Sequence, residues 1–240
     1  MKVAMMQPTF LPWQGYFELI YKADCFIFLD DFQFSAQSFH QRNRLFVNMN
    51  QVDWYSVPVK KSNAFGASLN SVKIDESRNW RKKLLKRTQQ NYSKTLFFNE
   101  IYPILNFNIN EKVDSLAALN IAIIKAVVKL FDWEIEWRFS SSFTTNSTRS
   151  VRVLELLRWC SAKQYYSPSG SLEYMQKDAV FPVSDVDVLF QNFHPPSYSQ
   201  NGSPKEFVPS LSVFDALFNI GPVKTAQLIT RGTTCWNKWK

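Results

Sequence analysis

The opening stretch constrains the fold more than any other. Lys2 to Met6 is a short apolar run, Trp13 to Lys22 has the pattern of a helix, and Cys25 to Leu29 is a second apolar run. Between the first run and the helix lies Gln7-Pro8-Thr9-Phe10-Leu11-Pro12-Trp13-Gln14-Gly15-Tyr16, a turn holding two prolines and a glycine. Strand, helix and strand in that order, with both strands apolar throughout, predict a parallel βαβ unit whose strands are buried. Such a unit ends its strands side by side. The polar residues that follow them, Gln7, Asp30, Asp31 and Gln33, are therefore expected near one sheet edge, where α/β proteins place their sites.

Further along, Leu45 to Val47 and Trp54 to Val59 read as strands around a polar turn at 48–51, and Pro58 puts the second at an edge. Residues 60–70 read as a loop and Val72 to Ile74 as one more short strand. From Asn79 to Asp132 the signal is helical. Trp80, Leu84, Leu85, Thr88 and Tyr92 fall at near-helical spacing, and Leu116, Leu119, Ile123, Val127 and Leu130 share one face. Glu134 to Phe139 alternates and returns to the sheet, and Arg149 to Ser161 reads as a helix capped near Ser147 or Thr148. Tyr165 to Ser167 is a strand leading into a turn and a helix, and Asp187 to Phe190 is a late strand. The Pro- and Ser-rich segment from His194 to Pro209 is a long loop, of the kind that often carries function, and helices over Ser210 to Asn219 and Pro222 to Ile229 follow it. No repeat or linker divides the chain. The expected architecture is one α/β domain over 1–240: a mixed, mostly parallel sheet flanked by helices, with a Rossmann-like N-terminal βαβ unit and a mainly helical insertion at 79–132.

Composition narrows the function. Hydrophobic residues make up 45% of the chain, which argues for a packed core and against disorder. No apolar run reaches the ~20 residues of a membrane span, and Lys2 leads directly into a strand without a signal-peptide pattern, so the chain reads as cytoplasmic. The three cysteines, at 25, 160 and 235, have no metal-binding spacing, and there are only two histidines. No metal site is signalled, an Asp-bound magnesium alone staying open, and no cofactor is named. The net charge of +8 favours anionic partners, but no helix-turn-helix, zinc finger or aromatic RNA-binding pattern accompanies it, so nucleic acid is not among them.

Several residues have side chains fit for chemistry. Gln7 offers a neutral donor and acceptor for an amide, a sugar hydroxyl or a base edge, or else ties down its own turn. Asp30 and Asp31 follow an apolar strand whose alternation would send them to opposite faces, one into a site and the other onto Arg42 or Arg44. Arg42-Asn43-Arg44 presents planar donors suited to phosphate or carboxylate; a bracing Asp–Arg pair is the plainer alternative. Cys160 follows Leu154 and Leu157 at three-residue steps, which predicts an inert core thiol. Arg81, Lys82, Lys83, Lys86 and Arg87 make a basic helix face, either solvated or a dock for an acidic carrier protein or an anionic membrane, its apolar positions being sparse for insertion.

Two sets of motifs carry a family resemblance. The first is Gln7-Pro8, Pro12-Trp13, Gly15-Tyr16, Ala23-Asp24, Leu29-Asp30-Asp31, Gln33-Phe34 and Arg42-Asn43-Arg44. The second is Arg152, Gly170, Tyr174, His194-Pro195, Tyr198-Ser199-Gln200, Phe207 to Asp215, Asn219 and Gly221. In these the chain resembles the WbqC-like family of bacterial surface-polysaccharide (O-antigen) clusters, departing at Gln41, where Asn is more usual. The resemblance implies transfer of glycine or another acyl group to an amino-sugar or nucleotide-sugar acceptor. In that reading His194 or Asp30 takes the proton from the acceptor amine. Gln7, Asp31, Arg42, Asn43, Arg44, Tyr198, Gln200 and Asp215 hold the substrates. A loop-bracing His194 and a non-catalytic sugar-nucleotide or carrier-binding protein are the alternatives. The N-terminal unit is also similar to that of nucleotidylyltransferases. Their H-x-G-H is here Trp13-Gln14-Gly15-Tyr16, which removes both phosphate-stabilising histidines and leaves a likeness of fold alone.

Overall fold

The computed structural model describes residues 1–48, 51–60, 62, 64, 66–200 and 206–239. Its strands are β1 (Lys2–Met6), β2 (Cys25–Phe28), β3 (Arg42–Asn48), β4 (Gln51–Ser56), β5 (Glu136–Phe139), β6 (Gln164–Ser167), β7 (Asp187–Phe190) and β8 (Asn237–Lys238). Its helices are α1 (Gln14–Lys22), α2 (Trp80–Tyr92), α3 (Phe98–Asn110), α4 (Leu116–Leu130), α5 (Arg149–Trp159), α6 (Leu172–Asp178) and α7 (Val213–Thr230).

The main sheet runs β5-β2-β1-β6-β7-β8, parallel except for β8, which lies antiparallel to β7. The α/β class and the mostly parallel sheet are as the sequence predicts. Continuous apolar strands have the matching consequence, a sheet covered on both faces. Ala4, Phe26 and Phe28 pack with Phe17, Leu119 and Leu217 on one side. Val3, Met5, Cys25 and Ile27 pack with Leu156, Leu157 and Met175 on the other. Cys160 is buried on that second side, as its spacing predicts.

Strand order reverses at β1, with β2 on one flank and the much later β6 on the other. Beyond the carboxyl ends of β1 and β6 the outgoing chains therefore diverge and leave a crevice.

Some elements differ from the sequence reading. Val72 to Ile74 forms no strand: a 3-10 turn at Leu69–Ser71 precedes it, and Ile74 makes a single bridge to Val59. A segment that short, set between a turn and a loop, has no neighbouring strand to extend along. The helical stretch divides into α2, α3 and α4. β3 and β4 pair with each other as a separate hairpin, away from the main sheet; the middle of its turn, 49–50, lies outside the described residues, as do 61, 63 and 65 of the next loop and 201–205 of the long one. The two closing helices run together as α7, broken at Gly221, whose φ of 75° a side chain would strain and over which the Phe97 ring sits.

Candidate functional site

The crevice is walled by the loop between β1 and α1, and two asparagines hold that loop. Asn43 Nδ2, on β3, donates to the carbonyls of Phe10 (3.3 Å) and Leu11 (2.7 Å), which fixes Leu11 at a φ of 44°. Asn120 Nδ2, buried on α4, donates to the carbonyls of Pro8 (3.0 Å) and His40 (2.8 Å). Trp13 lies flat on Gly15, where a Cβ would come within 2.5 Å of its ring, so this glycine is required by contact. Two cavities open along the loop and meet at Met6 and Thr9. One, of about 430 Å³, lies at the switch point between Gln7, Arg149, Gly170 and Tyr174. The other, of about 330 Å³, lies between Trp13, Phe39, Asn43, Arg44 and Ser210. Each is of a size to hold a small metabolite. The side chains lining both include Arg44 and Arg149 and no carboxylate. Arg149 is paired with Asp178 at 2.8 Å, which leaves Arg44 as the positive charge without an ion-pair partner among the described residues.

Gln7 is oriented from two sides. Its Nε2 donates to the carbonyl of Gln33 (3.1 Å), and its Oε1 faces His40 Nε2 at 3.1 Å. His40 Nδ1 accepts from the Ser35 backbone N–H (3.2 Å). That nitrogen is therefore bare and Nε2 carries the proton, which it donates to Gln7. Burial lowers the His40 pKa to about 4, so the ring is neutral at physiological pH. One N–H of the Gln7 amide remains for a ligand.

The other motif residues fall into separate groups. Asp30 and Asp31 form a clamp with the chain after β5. Asp30 accepts from Ser141 Oγ (2.7 Å), the Ser141 N–H (3.1 Å) and Ser140 Oγ (3.3 Å), and Asp31 pairs with Arg152 at 2.5 Å. Neither Asp pairs with Arg42 or Arg44. β2 ends at Phe28, so strand alternation no longer governs them, and both reach Ser140. Asp215, Tyr198 and Gln200 make a buried hub: Asp215 accepts from Tyr198 Oη (2.6 Å), Tyr92 Oη (2.8 Å) and Gln200 Nε2 (3.0 Å). Burial raises the Asp215 pKa despite these donors. The hub lies behind the cleft wall, because the Ser212 and Val213 N–H groups at the start of α7 bond the carbonyls of Arg44 and Pro12. Arg42 stacks over Trp54 at 4.2 Å. His194 is exposed, with its Nδ1 3.0 Å from the Asn192 carbonyl, and lines neither cavity. Gln7 thus lines the first cavity and Asn43 and Arg44 the second, while the hub, the aspartate clamp and His194 stand apart.

A model of the WbqC-like protein family matches residues 7–227. The chain belongs to this family. It is also similar to the uncharacterized protein Rv1507c of Mycobacterium tuberculosis, 28% identical over 222 residues that cover 92% of this chain and 94% of the relative. No solved structure matches.

In this WbqC-like chain, sequence reasoning passed over several site residues. His194 carries the family motif, yet it is His40, outside every motif, that orients Gln7. Thr9 and Arg149 line the cleft outside the family motifs, and Ser210, inside the Phe207 to Asp215 motif, was read only as the start of a helix. Glu18, fully buried, accepts from the Thr233 N–H (2.7 Å) and Gln191 Nε2 (2.8 Å). Only its placement on the apolar face of α1 hinted at it. Among the described residues no cluster of His, Cys, Asp and Glu is placed to hold a metal ion, and no helix is long and apolar enough to cross a membrane. On the basic helix α2, Arg81 is bound to Glu76 and Arg87 to Asp53, leaving Lys82, Lys83 and Lys86 exposed.

Proposed function

We propose that this protein is a group transferase of bacterial surface-polysaccharide assembly, moving a glycyl or other acyl group onto the amine of an amino sugar. The observation that carries the reading is the pair of small-molecule cavities that meet at Met6 and Thr9, with Gln7 on one wall and Arg44 on the other. Two adjoining cavities suit a two-substrate reaction: one takes the activated acyl donor, the other the amino sugar. The amine nitrogen attacks the donor carbonyl, a C–N bond forms, and the donor's leaving group departs with its bonding pair. The Arg44 guanidinium and the free N–H of Gln7 stabilise the tetrahedral oxyanion between these steps. Holding the reactants side by side supplies much of the rate. No carboxylate lines the cavities and the His40 ring is spent on Gln7 and Ser35, so the amine's proton leaves to water at the cleft mouth.

That same lining favours a second reading, a sugar-nucleotide or carrier-binding protein that assists another enzyme. Purified protein incubated with nucleoside-diphosphate amino sugars and activated glycine, followed by mass spectrometry, separates the two. Catalytic accumulation of the N-acylated sugar is the expected result. Stoichiometric binding without product in any donor and acceptor combination leaves the binding protein.

A further inference from the structure

A second and larger pair of cavities lies on the far side of Gln33, outside the strand-end cleft. One, of about 900 Å³, is walled by Gln33, Gln37, Gln41, Phe34 and Pro58. The other, of about 300 Å³, is walled by Trp54, Tyr55, Trp80, Lys83 and Arg87. They share Pro58 and Arg78 and so form one elongated groove. We propose that this groove binds a diphosphate-linked sugar, with the sugar among the glutamines and the diphosphate against Arg78 and Lys83. The inference is independent of the transfer reading.

Three features of the groove support it. The first is the large cavity's amides. The side chains of Gln33 and Gln37 make no hydrogen bond to other described residues, and the bond of Gln41 Nε2 to the Val57 carbonyl is long at 3.5 Å. Side-chain amides that are both donor and acceptor, set beside Phe34 and Pro58, match the alternating hydroxyls and C–H faces of a sugar ring. The second is the charge at the junction. Arg78, Lys83 and Arg87 face one carboxylate, Asp75, among the lining residues. Asp75 is occupied by the Ser77 N–H (3.1 Å) and Oγ (2.6 Å), and those bonds hold its pKa below the usual carboxylate range. Arg87 is committed to Asp53 at 2.6 Å, whereas Lys83 is exposed and Arg78 meets Asp75 only at 3.5 Å with its side chain 71% exposed. Arg78 and Lys83 are thus the cations available to a phosphate. The third is the far end, which the half-buried Trp54 lines, while Tyr55 beside it on β4 is buried in the core. A flat base or an apolar chain can lie there.

The test is calorimetry on the full chain with four probes: N-acetylglucosamine, inorganic pyrophosphate, UDP-N-acetylglucosamine and geranyl-diphospho-N-acetylglucosamine. Both diphosphate-linked sugars are expected to bind better than either fragment, and the tighter of them tells whether a nucleotide or a lipid supplies the diphosphate. The double variant Arg78→Glu, Lys83→Glu should weaken that binding at least tenfold, with its thermal unfolding unchanged. Gln37→Ala should weaken the sugar-bearing probes and leave pyrophosphate unaffected. Lys82→Glu, exposed on α2 and lining neither cavity of the groove, should leave all four within twofold. Absence of binding by both diphosphate-linked sugars overturns the proposal. So does binding lost in Arg44→Ala and kept in the double variant, which would put the ligand in the strand-end cleft. Since no turnover is measured, failure here leaves the transfer reading standing, and the reverse holds too.

Discussion

The buried hub around Asp215 and the strand-end cleft around Arg44 lie back to back, and they use polar side chains in opposite ways. In the hub every strong group is spent internally: a carboxylate with no exposed surface takes three hydrogen bonds from side chains on α2 and the long loop. In the cleft, Gln7 is aimed by His40 and Gln33 and keeps one N–H in reserve, and Arg44 lines open space. A polar residue in a family motif is thus evidence of constraint, and the structure must say whether the constraint is stability or chemistry. The contacts from Ser212 and Val213 to Arg44 and Pro12 make the hub the support on which the cleft wall rests.

Removing the hub carboxylate should have the largest effect. Asp215→Ala strands buried donors on Tyr92, Tyr198 and Gln200, at a cost of about 3–5 kcal/mol. For a chain of this size that corresponds to a fall in Tm of about 10 °C, measurable by calorimetry. Asp215→Asn, which keeps the shape, should lose much less. It should also isolate a pH effect. A carboxyl whose folded pKa is raised binds protons more tightly when folded. Its contribution is therefore fully present below the unfolded value of 3.8 and is lost as pH rises through the folded value. Relative to the Asn variant, the native chain should lose stability over that rise. A flat difference would mean the hub carboxylate is not desolvated as its burial indicates.

His40 should give the opposite slope. Its folded pKa is lowered from 6.5 to about 4, so between those values the unfolded chain binds the extra proton. Stability should fall as pH drops from 6.5 to 4, by on the order of 3 kcal/mol. In His40→Gln this acid-side loss should shrink, as read from urea unfolding at several pH values. If both proteins keep the same slope, His40 is not the buried neutral ring that orients Gln7.

How much of this contrast was legible in the sequence depends on the range of the interactions. The β1–α1–β2 unit was readable because its apolar runs and turn prolines are local signals, and Gln7 meeting Gln33 follows from two neighbouring strands ending together. The partners of Asp30 at Ser140 and Ser141 lie 110 and 111 residues away, and one partner of Asp215, Tyr92, lies 123 residues back with four helices between them. No local pattern encodes such pairings. β8 escaped notice because a two-residue strand has no periodicity. His194 drew the catalytic reading through motif membership, whereas the role in orienting Gln7 follows burial, which the polar surroundings of His40 concealed.

Arg44 offers a sharper test of the cleft itself. Arg44→Ala should lower kcat/KM in the acyl-transfer assay roughly 10–100-fold, the worth of one hydrogen bond to a charged group. Its Tm should stay within about 1 °C, as expected for a side chain that supports no core contact. A large fall in Tm with normal activity would move Arg44 from the cleft's chemistry to the hub's scaffolding and erase the distinction between the two regions.

The smallest effect is expected at His194. The ring is exposed, bonds only the carbonyl of Asn192 among the described residues, and lines neither cavity. Its nearest link to the cleft is indirect: the preceding residue, Phe193, meets the Trp13 ring edge-on at 5.2 Å, and the His194 backbone N–H bonds the Gly232 carbonyl. Both contacts survive removal of the imidazole. His194→Ala should therefore change Tm by less than a degree or two and turnover by less than about tenfold, well short of the ~10²–10⁴-fold loss that follows removal of a general base. A pH–rate profile settles what remains. If an acidic limb is present in the native chain and absent from His194→Ala, the acceptor's proton passes through this ring after all. The site would then extend from the cavities to the His194 ring.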